Sequence, residues 1–151
     1  AVGIAIGSTA FGYFIGSFIA GQLSERVTLG AMMIWGRTLA LIGPTGGLVL
    51  VLMDVANPWN IFGLMITLGI GNGIALPSAN TGAMSVRPDL AGSAAGLSGA
   101  IATAMGAVGS AVTGALLTPA NSAWLFCLLL SLTCLCALAF AILSARAPLE
   151  A

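Results

Sequence analysis

Residues 123–145 read AWLFCLLLSLTCLCALAFAILSA, twenty-three residues in a row without one charge. Crossing the roughly 30 Å hydrocarbon core of a bilayer takes about 20 helical residues. A stretch this long and this apolar reads as a transmembrane helix. The same test extends backward through the chain. The four acidic residues are Glu25, Asp54, Asp89 and Glu150; the four basic ones are Arg26, Arg37, Arg87 and Arg146. Cutting at these charges and at the prolines leaves five apolar stretches, at about 2–23, 29–53, 59–80, 90–117 and 123–145. In lipid each must be helical, because only a helix satisfies its own backbone hydrogen bonds within one segment. The expected fold is therefore all-α: a polytopic transmembrane bundle of five spans in a single domain.

Composition agrees. Only 5% of the residues are charged, against about a quarter in a soluble domain, so this chain has too little polar surface to face water. Its 21 glycines suit close helix packing in a membrane. A net charge of zero gives no basic surface, which excludes a nucleic-acid partner. There is no histidine, and the acids sit only near span ends, so neither a metal site nor a cofactor is expected. Cys127, Cys134 and Cys136 fall inside the last span and read as small packing residues. No catalytic constellation appears, and the chain is not expected to be an enzyme. Gly69-x-Gly71-x-Gly73 is not a nucleotide loop: its last glycine comes one residue early and no strand precedes it. The chain opens Ala-Val-Gly-Ile without Met or a basic flank, so the first span is expected to be a true span within a longer protein rather than a signal peptide.

Five spans put the two ends on opposite sides. Arg26, Arg87 and Arg146 then share one side, and the other side has no Arg or Lys. The positive-inside rule makes the Arg side cytoplasmic, with the start of the chain outside and its end inside. Trp59 and Trp124 fall at the outer ends of their spans, at the level where interfacial tryptophans belong. Arg37 lies inside span two, where it either reaches back to the interface or pairs within the bundle.

The spans differ in character. Spans one and four are rich in small residues: Gly12 and Gly16, Gly92 and Gly96, then Gly106, Ser110 and Gly114 at four-residue steps. These stripes predict close helix–helix contact. Span five is bulky and reads as an outer, lipid-facing helix. Pro44 predicts a kink in span two. Span three carries Gly69-Ile70-Gly71-Asn72-Gly73, then Pro77, Ser78, Asn80 and Thr81. A buried amide must find a partner or meet water. Asn72 thus either lines a central cavity on a loosened helix or bonds a neighbouring helix.

Two segments resemble a known family. Gly21-Gln22-Leu23-Ser24-Glu25-Arg26 resembles the Gly-x-Leu-Ser/Ala-Asp-Arg loop motif of major facilitator superfamily transporters. GIGNGIALPSAN at 69–80 and SVRPDLAGSAAGLSGA at 85–100 resemble helices ten and eleven of the Bcr/CflA-type multidrug exporters within that superfamily. The resemblance covers essentially the whole chain. It departs at Glu25, where the motif has Asp, and at Thr28 and Leu29, where the fuller motif has Gly and a basic residue.

The resemblance implies helices eight to twelve of a twelve-helix exporter, a partial C-terminal lobe whose partner is the missing N-terminal half. It implies proton-coupled antiport of drugs or small amphipathic metabolites across the inner (plasma) membrane, by alternating access. Asn72, Asn80, Thr9, Tyr13 and Ser98 become candidates for the substrate path. Gly21, Glu25, Arg26, Arg37, Arg87 and Asp89 become the loop motif and cytoplasmic gate. Asp89 also reads as a cap for span four. No acid lies at mid-membrane, so a proton site would have to be elsewhere in the transporter. The alternative is a self-contained or oligomerising membrane subunit without transport of its own.

Overall fold

A computed structural model describes residues 2–85, 88–118 and 122–146. It contains five long helices and, among the described residues, no strand. They are α1 (Val2–Leu23), α2 (Leu29–Leu52), α3 (Pro58–Ser85), α4 (Ala91–Leu116) and α5 (Ser122–Arg146), with a single 3-10 turn at Pro88–Leu90 ahead of α4. By length and composition, the segments Leu29–Leu52, Trp59–Ser85, Pro88–Leu116 and Ala123–Arg146 are each able to cross a membrane. With 22 residues, α1 is about 33 Å long, again enough to span.

Helix ends follow local chemistry. Thr28 caps α2 by accepting the amide of Ala31. At the other end Asp54 takes a left-handed conformation, φ 58°. It stands just past the cap, where the Val55 amide reaches the Leu50 carbonyl and the Asp54 amide reaches that of Val51. This is a Schellman closure with aspartate in the place glycine usually fills. Asn57 then starts α3, its side chain accepting the amide of Trp59, with Pro58 at the first helical position. Asp89 lies in the 3-10 turn ahead of α4. That helix begins at Ala91, with Leu90 in the cap position, one residue after Asp89.

The third helix is the hub, flanked by α1 and α2, while α5 packs on α2. The neighbours of successive glycines give the directions. Along α1, Gly12 faces Gly69 and Ile70, and Gly16 faces Ile70 and Gly73, so α1 and α3 run parallel. Gly36 of α2 meets Gly71 and Ala75, while Gly43 meets Leu64 and Thr67, so α2 runs antiparallel to α3. Gly30 meets Ala145 and Gly47 meets Cys127, so α5 is antiparallel to α2. Helices α1, α3 and α5 therefore point one way and α2 the other. The start of α1 and the end of α5 lie at opposite ends of the bundle.

Two features of α3 differ from the sequence expectation. It runs to Ser85, five residues past the predicted end, because Ser78 and Ser85 return their hydroxyls to the carbonyls of Ile74 and Gly82 and so keep their polarity inside the helix. At 28 residues it is about 42 Å long, more than the hydrocarbon thickness. Nor does its glycine cluster loosen it. Gly69 and Gly73 form one small face against Gly12 and Gly16; Gly71 and Ala75 form a second against Gly36 and Ala40. Alternating glycines let α3 press its backbone against two helices at once, the small-residue packing that membranes favour.

The small stripe of α4 does not do the same. Gly92, Gly96, Gly106 and Gly114 have nothing within 4 Å that an added methyl would meet. Every residue from Gly99 to Val112 is exposed, including Gly106 and Ser110. Among the described residues the close packing predicted for this stripe is absent, because α4 touches α3 over a limited stretch only. An open groove of about 540 Å³ separates it from α5, with Gly106, Ser110 and Gly114 on one wall and Phe126, Leu130 and Thr133 on the other. The outer face of α5 presents Leu132, Leu135, Phe140 and Leu143, whereas Cys127, Ser131, Cys134 and Ala141 form its buried stripe.

Candidate functional site: a polar cluster inside the bundle

Arg37 is the ninth residue of the 24-residue α2, about 12 Å from the helix start. Its side chain does not return to the loop. Nη1 donates to Asn72 Oδ1 of α3 at 2.8 Å. Asn72 is the fifteenth of the 28 residues of α3, so the bond lies at the middle of the hub helix. Both residues are half-buried. Arginine has only donors, so the amide must present its oxygen to it, and the Asn72 amino group points elsewhere.

Two further bonds lie at this level, and both answer a proline. Within a helix, proline has no N–H to give the carbonyl four residues back. Pro44 of α2 thereby releases the carbonyl of Ala40, and the Cys134 thiol of α5 donates to it at 3.8 Å. Pro77 of α3 releases the carbonyl of Gly73, and the Ser17 hydroxyl of α1 donates to it at 3.3 Å. A carbonyl orphaned in an apolar medium is costly. Here each is met by a side chain from the next helix. Both helices run unbroken through their prolines. Ala40 packs directly on Gly71. Ser17, Gly73, Asn72, Arg37, Ala40 and Cys134 thus form one polar layer through α1, α3, α2 and α5.

No family model, curated protein or solved structure matches this chain.

The remaining candidates are scattered around this layer. The Thr9 and Tyr13 carbonyls pack on Gly69 and Gly73 along the α1–α3 seam, and the Tyr13 side chain is exposed. Ser98 donates to the Ala94 carbonyl of its own helix. Asn80 is exposed, two turns beyond Asn72. Gly21, Glu25 and Arg26 are exposed at the α1–α2 turn, where Ser24 donates to the Gly21 carbonyl. Asp89 is exposed in the 3-10 turn, and Arg87 lies outside the described residues. Arg37, grouped by sequence with the cytoplasmic gate, instead joins Asn72 in the interior.

Sequence reasoning missed Ser17 and gave Cys134 a packing role only. The signal was present: a proline inside a span marks the carbonyl four residues back as needing a donor. Which helix would supply that donor is a tertiary fact.

Proposed function

We propose that this chain is part of a secondary-active exporter of small amphipathic molecules, working by alternating access in the plasma membrane. The observation that carries the reading is the Arg37–Asn72 pair at mid-bundle. Charged and amide side chains are expensive at that depth and are found where a substrate or ion path runs. The motif resemblance in the α1–α2 turn and along 69–100 supports the same reading. So does the unpartnered face of α4, which suits a second transporter lobe. In this reading Asn72 and Arg37 contact substrate, while Glu25, Arg26 and Arg87 close the cytoplasmic side. Glu25, Asp54 and Asp89, the acids among the described residues, lie outside the long helices, and in this reading the proton site belongs to the rest of the transporter.

Asn72→Ala in the complete transporter tests this. Efflux of a panel of dyes and drugs should change selectively, at unchanged protein level. Equal loss of every substrate, in step with the amount of protein, would assign Asn72 to structure alone. The α4 face also favours a second reading, an oligomerising membrane subunit. Cross-linking of Met105→Cys to a second copy, in a protein without transport, would establish that one instead.

A further inference from the structure

We infer that the guanidinium of Arg37 is a binding site for the anionic group of a ligand, a carboxylate or a phosphate, which makes the transported class anionic amphiphiles. The inference deepens the transport reading, but its binding component stands without it.

Charge is the first argument. A cation held at mid-bundle normally faces a counter-charge. The chain has four acids: Glu25, Asp54 and Asp89 lie outside α1 to α5, and Glu150 lies outside the described residues. The partner of Arg37 is a neutral amide. Among the described residues Asn72 orients the guanidinium and no carboxylate pairs with it.

Geometry is the second. Arginine carries five N–H donors in a rigid fork. The bond to Asn72 engages one nitrogen. Among the described residues no buried side-chain nitrogen lacks a partner, so the remaining guanidinium nitrogens open onto accessible space. Such a fork matches a carboxylate or phosphate through two parallel hydrogen bonds. The Cys134 thiol is committed to the Ala40 carbonyl and does not compete. The remaining guanidinium nitrogens are donors without acceptor capacity, which selects an acceptor-rich, negatively charged ligand and disfavours a cationic one.

The test is equilibrium binding of radiolabelled benzoate, with benzamide as the neutral isostere, to the protein in its natural length in a phosphate-free non-ionic detergent. Benzoate should bind about tenfold to a hundredfold more tightly than benzamide, the range expected of charge-assisted hydrogen bonds. Arg37→Gln should abolish the preference, while Arg37→Lys, which keeps the charge and loses the fork, should retain part of it. Melting of both variants, followed by exposure of the buried cysteines, checks that they fold. Competition by added phosphatidylglycerol would identify a lipid phosphate as the natural source of the anion. Its absence would leave a dissolved solute. Equal binding of benzoate and benzamide, or an undiminished preference in a folded Arg37→Gln, would overturn the inference. Efflux is not needed for this readout, so a protein that binds benzoate and transports nothing would refute the transport reading alone.

Discussion

Replacing Gly71 by alanine should cost more than its single methyl suggests. The added carbon would overlap the Gly36 carbonyl oxygen and the Ala40 nitrogen and would stand 2.7 Å from Ala40 Cα. Carbon contacts settle at about 3.5–4.0 Å, so α2 and α3 must part by about 1 Å. All three atoms belong to backbone, and no rotamer change relieves the overlap. Parting the helices weakens the packing of Gly36 and Gly43 along the same seam and stretches the 2.8 Å bond between Arg37 and Asn72. Overpacking of this kind costs about 1–3 kcal/mol. Alanine's better helix propensity returns at most about 1 kcal/mol. The net expectation is a loss of about 1 kcal/mol. Gly63 lies on the same helix with nothing within 4 Å, so Gly63→Ala should be neutral or slightly stabilising. Heating both variants in detergent with a thiol-reactive dye reports the exposure of Cys127 and Cys134, which are buried in the fold. Equal melting of the two variants would refute the claim that alternating glycines on α3 set the helix spacing.

Three other outcomes follow from the same geometry. Ser17→Ala should destabilise by about 0.5–1.5 kcal/mol in the native background but by almost nothing in Pro77→Ala, which restores the missing amide; additive losses in that cycle would contradict the pairing. Cys134→Ala with Pro44→Ala should behave the same way, with a smaller coupling because a thiol is a weak donor. Asp54→Asn or Asp54→Gly should preserve stability, whereas Asp54→Val should cost about 1–2 kcal/mol for a left-handed β-branched residue; thermal melts of the three variants decide it.

Most of the fold was legible because the solvent is lipid. An uncharged run such as 123–145 has one backbone solution in a bilayer, and it starts and stops where polarity returns. The α3 end was misplaced because Ser78 and Ser85 bond within the helix, so polar residues there did not signal a loop. Partner choice was less legible. Gly12 and Gly16 have the same spacing as Gly92 and Gly96, yet only the first pair meets another helix. Spacing defines a face, whereas what that face meets depends on the whole bundle. The candidate site was half visible. Asn72 and Arg37 stand out as polar residues in apolar spans, but their pairing brings together residues 35 positions apart, which periodicity does not encode.

Five spans would place successive connections of the bundle on alternate faces of the membrane. Single cysteines at Ser24→Cys, Asn57→Cys and Thr118→Cys, placed in the complete protein, can be probed with a membrane-impermeant thiol reagent in intact cells and in inverted vesicles. The position at 57 and the position at 118 should label from the outer face in intact cells, and the position at 24 only in inverted vesicles. Labelling of 24 and 57 from the same face, or of all three in both preparations, would contradict the five-span bundle.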